Sequence, residues 1–179
     1  MLGPMARVLI IDDNETMREG MATTVRRMGH EVAMAASGAE GLAVMRKQGA
    51  DFVITDLKME GVSGLDVLEG IKRIDPACPT LIVTAFGTVE AAVQAMRLGA
   101  MDFLQKPFAP EVLRLKVERA IELRRETMGR QRAEAEVEAL RADAAQPYGL
   151  GEMVGRAPQM RALFETIDKV APSDVAVHI

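Results

Sequence analysis

The sequence predicts an α/β protein built on a doubly wound parallel sheet. Between residue 7 and about residue 126, five short apolar runs alternate with five amphipathic stretches. Such strict alternation of strands and helices is typical of a parallel sheet with helices on both faces. Four of the five runs are continuously apolar, which is the pattern of strands buried on both sides.

The predicted elements have recognisable boundaries. The strands cover residues 8–11, 31–35, 52–55, 80–84 and 101–104. The helices cover residues 15–28, 37–48, 63–74 and 88–98, and a further one begins near residue 110. Gly29 and Gly99 end the first and fourth helices, Ser37 and Glu40 form a capping box at the start of the second, and Pro76 follows the end of the third.

The composition changes between residues 109 and 145. From Glu111 to Ala145 there are eight basic and eight acidic residues and no proline or aromatic, which predicts a long solvated helix. Its apolar residues form two stripes that are out of heptad register by one residue, namely Leu113, Val117, Ala120 and Ile121, then Ala133, Val137, Leu140 and Ala144. This segment is compatible with a short dimeric coiled coil and with a plain surface helix and linker.

The bulk composition excludes several classes. A net charge of −4 and 3% aromatic residues argue against nucleic-acid binding by a basic surface or by base stacking. The lone cysteine, Cys78, cannot form a disulfide framework or a cysteine metal site within one chain. No apolar run approaches the ~20 residues that a membrane span needs, and residues 1–5 are too short for a signal peptide. We therefore expect a cytoplasmic protein.

Polar side chains follow four of the five predicted strands. Asp12 and Asp13 end the first strand, Asp56 ends the third, Thr84 ends the fourth, and Lys106 follows the fifth. Because the carboxyl ends of parallel strands lie at one edge of a sheet, these side chains are expected to converge there, where sites form in doubly wound folds.

This combination suits phosphoryl transfer to a carboxylate. Clustered carboxylates repel one another and need a compensating charge, which a hard cation such as Mg²⁺ provides while leaving room for phosphate oxygens. Lys106 supplies a second positive charge and Thr84 a hydroxyl donor for phosphoryl oxygens. Taken singly, each residue is more readily explained as a helix cap or a loop residue, but five at the ends of four strands favour a site.

Residues 6 to about 126 resemble the receiver domain of two-component response regulators. The motifs that carry this resemblance are VLIIDD at 8–13, ITDLKM at 54–59, IVTA at 82–85 and DFLQKPF at 102–108. The resemblance implies a five-stranded flavodoxin-like fold with strand order 2-1-3-4-5, extended here by a long C-terminal helix. It also implies that a partner histidine kinase phosphorylates Asp56.

The resemblance assigns the remaining site residues. Asp13 and Asp56, with the backbone carbonyl of Lys58, would bind Mg²⁺ directly, and Asp12 would act largely through water. Thr84 and Lys106 would bind the phosphoryl oxygens, and the Lys106–Pro107 peptide bond would be cis.

The resemblance also implies a switch that pairs Thr84 with an aromatic residue on the fifth strand, here Phe103. Many relatives have tyrosine at that position. Phe103 lacks the hydroxyl, so we expect burial of the ring to drive the coupling. The alternative is that Phe103 is simply a core residue.

Residues 151–160 and 167–175 resemble the opening of an AAA+ sigma-54-interaction domain, as in regulators of the nitrogen-regulator class. We therefore divide the chain into a receiver domain at 1–126, a helical linker at 127–146 and an N-terminal AAA+ fragment at 147–179, which is expected to be poorly ordered or packed on a neighbour. Within this last segment the sequence predicts a helix at 159–170 and a strand-like end at 175–179. The phosphate-cradling Walker A pattern is absent from the sequence. The chain alone is expected to bind neither ATP nor DNA and to be no enzyme beyond self-phosphorylation and self-dephosphorylation.

Three hypotheses follow. The leading one is the phosphorylation-controlled region of a sigma-54-dependent activator, which forms a homodimer through the receiver and linker helix and controls assembly of the ATPase. A second is a complete interaction module that acts as a phosphate sink or dimerisation partner. A third, a degenerate receiver used as a scaffold, conflicts with the intact acidic cluster, threonine and lysine.

Overall fold

A computed structural model describes residues 5–85, 89–145, 149–150, 153–154, 159–160, 162 and 167. The chain divides into two compact units, residues 1–130 and 131–179. The predicted C-terminal strand at 175–179 and most of the predicted helix at 159–170 lie outside the described residues. Within the described ranges, none of the helices combines the length and apolar character that crossing a membrane requires.

The first unit contains a five-stranded parallel sheet with the order β2-β1-β3-β4-β5. Its strands are β1 (Arg7–Ile11), β2 (Glu31–Ala35), β3 (Phe52–Asp56), β4 (Thr80–Thr84) and β5 (Asp102–Gln105). Every residue of β3 and β4 is buried, as continuous apolar runs predict for strands covered on both faces. The predicted fold class and strand order are confirmed.

Five helices connect or follow these strands. They are α1 (Glu15–Arg27), α2 (Gly38–Gln48), α3 (Gly64–Ile74), α4 (Val89–Arg97) and α5 (Pro110–Ala145). Asn14, Ser37 and Ser63 cap the first three through their side-chain oxygens, which accept hydrogen bonds from otherwise unpaired N–H groups. Pro110 opens α5, where its missing N–H has no cost.

Helices cover both faces of the sheet. On one face, Met21, Ala22 and Val25 of α1 and Val117 and Ile121 of α5 pack in one core cluster with Val8, Ile10, Ile54 and Leu81. On the other face, Met45 of α2 and Val67 and Ile71 of α3 pack with Leu9, Ile11 and Val53. The apolar stripe predicted for the first half of α5 is therefore the face that packs on the sheet of the same chain.

Two local predictions need correction. The capping box predicted at Ser37 is incomplete, because the Glu40 carboxylate accepts from the N–H of Ala36 at 2.7 Å rather than from that of Ser37. A reciprocal capping box instead joins Ser63 and Asp66. The predicted last strand is one residue too early, because its pairing with β4 starts where Asp102 lies opposite Leu81.

The second unit was not predicted to contain paired strands. Gly149–Leu150 (β6) and Met153–Val154 (β7) pair in an antiparallel manner. The described residues of the following segment, 159–160, 162 and 167, are helical, within the helix predicted at 159–170.

Candidate functional site

The sheet register brings the strand ends to one edge. Asp56 is the last residue of β3 and lies opposite Val83 of β4, and Thr84 is the last residue of β4 and lies opposite Gln105 of β5. Asp12 directly follows β1, and Lys106 directly follows β5. The position of each functional side chain therefore follows from where its strand ends.

Lys106 joins the two buried carboxylates. Its Nζ donates to Oδ2 of Asp12 at 2.7 Å and to Oδ1 of Asp56 at 2.9 Å. The exposed fraction is 0% for Asp12, 6% for Asp56 and 13% for the Lys106 side chain. These are charge-assisted hydrogen bonds in a largely water-excluded site, where ammonium and carboxylate groups need each other as partners.

Backbone amides hold the remaining carboxylate oxygens. Oδ1 of Asp12 accepts from the N–H of Asn14 at 2.9 Å, and Oδ2 of Asp56 accepts from the N–H of Lys58 at 3.0 Å. Each carboxylate is therefore fixed at both oxygens, by a main-chain amide on one side and by Lys106 on the other.

Burial and the ion pairs shift the pKa values of Asp56 and Lys106 in opposite directions. Burial raises the pKa of Asp56 above its ordinary value, although the hydrogen bond and charge of Lys106 lower it. Burial lowers the pKa of Lys106, but its bonds to Asp12 and Asp56 outweigh this effect, and the net direction is upward. We infer a protonated lysine that neutralises a carboxylate pair in a poorly solvated environment.

Asp13 does not join this cluster. Its side chain is exposed, and no group of three or more histidine, cysteine, aspartate or glutamate side chains suited to hold a metal ion occurs in the part of the chain that the structure describes. The described contacts join two of the three predicted carboxylates, Asp12 and Asp56, through Lys106. The role of Asp13 as a ligand of Mg²⁺ stays a prediction.

The donor chemistry at this edge nevertheless fits Mg²⁺. This ion is commonly held by one or two carboxylates together with waters and phosphate oxygens, rather than by a complete protein cage. Asp12 and Asp56 provide such a pair, and Asp13 is the neighbouring exposed carboxylate.

Thr84 and Phe103 lie on the same face of the sheet. Phe103 pairs with Ile82, and residues two apart in a strand point to the same face, so Thr84 shares that face. Phe103 is half-buried against a cluster that includes Leu57 and Ala95. Thr84 is buried, and its carbonyl accepts from the N–H of Lys106 at 2.8 Å. The Lys106–Pro107 peptide bond is cis, as expected.

Two further residues contact the main chain at this edge and were not predicted from the sequence. A Cβ atom on Gly64 would lie 2.1 Å from the carbonyl oxygen of Asp56, so only glycine allows α3 to approach the end of β3. Arg18 donates from Nη1 to the carbonyl of Asp12 at 2.6 Å. The glycine directly after the N-cap residue Ser63 could have indicated the close approach at Gly64. No pattern in the sequence predicts the contact of Arg18.

The fold and this site define a doubly wound signalling domain with a carboxylate pair and a lysine at the carboxyl edge of its sheet. The chain belongs to the response regulator receiver domain family, whose model matches residues 8–118.

Longer regulators resemble nearly the whole chain. The chain is 38% identical over 172 residues to the transcriptional regulatory protein ZraR of Salmonella typhimurium. The aligned region covers 96% of this chain and 36% of that protein. The match to the solved structure of NtrX from Brucella abortus in complex with ADP covers 94% of this chain and 35% of the NtrX chain, with 31% identity and a TM-score of 0.64. The resemblance to nitrogen-regulator-class proteins is confirmed, and the chain spans about 36% of the length of the first of these relatives.

A shorter solved chain, which the match covers almost completely, supports the fold of the first unit. The chemotaxis protein CheY4 of Vibrio cholerae matches 65% of this chain and 98% of its own, with 31% identity and a TM-score of 0.62.

Proposed function

We propose that Asp56 accepts a phosphoryl group from a sensor histidine kinase and that this reaction controls a sigma-54-dependent transcriptional regulator. The observation that carries the proposal is the bridge from Lys106 Nζ to the buried carboxylates of Asp12 and Asp56 at 2.7 and 2.9 Å. This arrangement provides a nucleophile, a neighbouring carboxylate and a fixed positive charge at one edge of the sheet.

The proposed transfer is a displacement at phosphorus. A carboxylate oxygen of Asp56 attacks the phosphorus of a phosphorylated imidazole on the kinase. The O–P bond forms while the P–N bond breaks, and the electron pair of the P–N bond stays on the imidazole nitrogen, which takes up a proton from solvent. The product is an acyl phosphate on Asp56. Positioning and charge neutralisation account for most of the catalysis of such transfers.

Lys106 and Thr84 hold the transferred group. Lys106 is already 2.9 Å from Oδ1 of Asp56, so its ammonium needs little movement to donate to a phosphoryl oxygen. The Thr84 hydroxyl, at the end of the adjacent strand, donates to another. Asp12, Asp13 and Asp56, with the Lys58 carbonyl, would hold Mg²⁺, which when bound offsets the negative charge of the phosphoryl oxygens.

The signal leaves the site through Thr84 and Phe103. Both lie on the face of β4 and β5 that packs towards the cluster containing Ala95 of α4. Movement of Thr84 towards the phosphoryl group frees space that the Phe103 ring fills. This exchange changes the surface around α4.

The output proposed for this surface is a change in homodimer packing that involves the receiver and α5. Val137 and Leu140, from the second predicted stripe of α5, are 47% and 64% exposed, which supports an intermolecular contact for that stripe. Sedimentation equilibrium with and without a phosphodonor measures this output. A dimer dissociation constant that phosphorylation leaves unchanged would contradict it.

Phosphorylation itself is tested with acetyl phosphate, a small-molecule phosphodonor, and Mg²⁺. Intact-mass measurement is expected to show one phosphoryl group on the natural chain and none on Asp56→Asn. Glu122→Gln, which changes an exposed carboxylate on α5, is the matched control and should be phosphorylated like the natural chain. Equal phosphorylation of Asp56→Asn would sink the proposal.

A further inference from the structure

Arg18 of α1 makes a contact that the phosphoacceptor residues do not explain. Its Nη1 atom donates to the backbone carbonyl of Asp12 at 2.6 Å, across six residues of chain. Asp12 lies one residue beyond β1, where the sheet no longer supplies hydrogen-bond partners on both sides. The bond to Arg18 therefore satisfies a main-chain acceptor at the point where the strand turns into the loop of the site.

The environment of this arginine differs from that of four arginines that form ion pairs. Arg7, Arg26, Arg73 and Arg124 each pair with a carboxylate. Arg18 is half-buried, and within the described ranges its guanidinium bonds to the Asp12 carbonyl and to no carboxylate. The positive charge of Arg18 therefore lies beside the main chain of Asp12, whereas Lys106 neutralises the side chain of Asp12.

Three hydrogen bonds hold Asp12 in the loop after β1. The N–H of Asp12 donates to the carbonyl of Ala35 at 3.2 Å, its carbonyl accepts from Arg18, and its Oδ1 accepts from the N–H of Asn14. Asn14 in turn caps α1 through the N–H of Met17. With these groups fixed, the remaining carboxylate oxygen, Oδ2, faces Lys106 at 2.7 Å.

We propose that Arg18 is a positioning residue for phosphoryl transfer to Asp56. It acts through Asp12, whose main chain it holds so that the Asp12 carboxylate stays in register with Lys106 and Asp56. The inference rests on the proposed phosphoacceptor function. It predicts that loss of Arg18 slows the transfer step itself and leaves binding of the phosphodonor unchanged.

The test compares Arg18→Gln with Arg27→Gln, which removes an exposed arginine from the last turn of the same helix. Phosphorylation by acetyl phosphate is followed over a range of donor concentrations at fixed Mg²⁺. For Arg18→Gln we expect a saturating rate about tenfold lower, the lower end of the effect typical of residues that orient a site through another residue. The donor concentration at half-maximal rate should stay the same, and Arg27→Gln should match the natural chain.

A second variant and a binding measurement keep the inference testable if Arg18→Gln folds poorly. Arg18→Lys keeps the charge and one donor, so its saturating rate is expected to lie between those of Arg18→Gln and Arg27→Gln. Calorimetric titration with Mg²⁺ alone should show weaker binding for Arg18→Gln than for Arg27→Gln. Circular dichroism verifies that each variant is folded.

The outcomes separate the two proposals. A natural chain that takes no phosphoryl group at Asp56 contradicts the proposed function. A natural chain that is phosphorylated, with both Arg18 variants as fast as Arg27→Gln, overturns the role of Arg18 alone. A change confined to the donor concentration at half-maximal rate also overturns it, because that result assigns Arg18 to donor contact.

Discussion

Replacing Lys106 by methionine removes the positive charge that two buried carboxylates share. Nζ lies 2.7 Å from Asp12 and 2.9 Å from Asp56, and each contact corresponds to about 6 kcal/mol of attraction at an effective dielectric constant of about 20. The net effect is smaller, because methionine also removes the cost of burying an ammonium group. We expect Lys106→Met to lower the free energy of unfolding at pH 8 by about 3 kcal/mol, as when one partner of a buried ion pair is removed.

The dependence of this loss on pH gives a sharper test. Burial raises the pKa of Asp56 in the folded chain, and Lys106 opposes that rise. In Lys106→Met the pKa of Asp56 therefore rises further, and the folded state binds more protons than the unfolded state above the ordinary carboxylate pKa. Because stability then falls as pH rises, the deficit of the variant should shrink when pH is lowered from 8 to 5.

Urea unfolding followed by circular dichroism measures both effects. At a slope of about 2 kcal/mol per molar urea, the expected loss lowers the midpoint by about 1.5 M. Lys47→Met, at an exposed lysine of α2, is the control and should stay within about 0.5 kcal/mol of the natural chain. Adding Asp56→Asn to Lys106→Met should recover part of the loss. A Lys106→Met midpoint equal to that of Lys47→Met, or a deficit independent of pH, would contradict the stabilising role of the Lys106 charge.

Three further predictions concern the start of α3 and the buried thiol of Cys78. Gly64→Ala is expected to destabilise the fold by about 3 kcal/mol and to slow phosphorylation, because its methyl group would lie 2.1 Å from the Asp56 carbonyl oxygen. In the control Gly20→Ala the methyl group meets no atom within 4 Å, so this variant should stabilise α1 by up to about 1 kcal/mol. Urea unfolding measures both changes in stability. Ser63→Ala should cost about 1 kcal/mol in the same assay through loss of the α3 cap. Burial raises the pKa of the Cys78 thiol to about 12, so iodoacetamide at pH 8 should modify Cys78 only after unfolding; rapid labelling of the folded chain would contradict this.

Most of the fold could be predicted because its signals are local. The apolar runs of β3 and β4 are buried along their whole length, and glycines at positive φ follow α1 and α4, at Gly29 and Gly99. The start of β5 could not be placed to the residue, because pairing with Leu81 of the neighbouring strand fixes it. The reciprocal cap of α3 was missed because aspartate stands at the position where glutamate or glutamine is usual.

The site was predictable to the extent that strand ends determine it. Asp12, Asp56, Thr84 and Lys106 all lie at the expected edge. Their hydrogen bonds were not predictable, because the direction of each side chain depends on the local backbone. Contacts such as that of Arg18 with Asp12 depend on how α1 packs beside β1, and no spacing in the sequence encodes that packing.

If Asp56 is the phosphoacceptor, the phosphoryl group resides on this residue, and its position on the chain can be measured directly. After reaction with acetyl phosphate and Mg²⁺, the acyl phosphate is converted with hydroxylamine to a stable hydroxamate, and the modified residue is identified by peptide mass spectrometry. We expect a hydroxamate at Asp56 and at no other aspartate or glutamate. A modification at Asp12 or Asp13, or a chain that stays unmodified while a known receiver domain reacts under the same conditions, would contradict it.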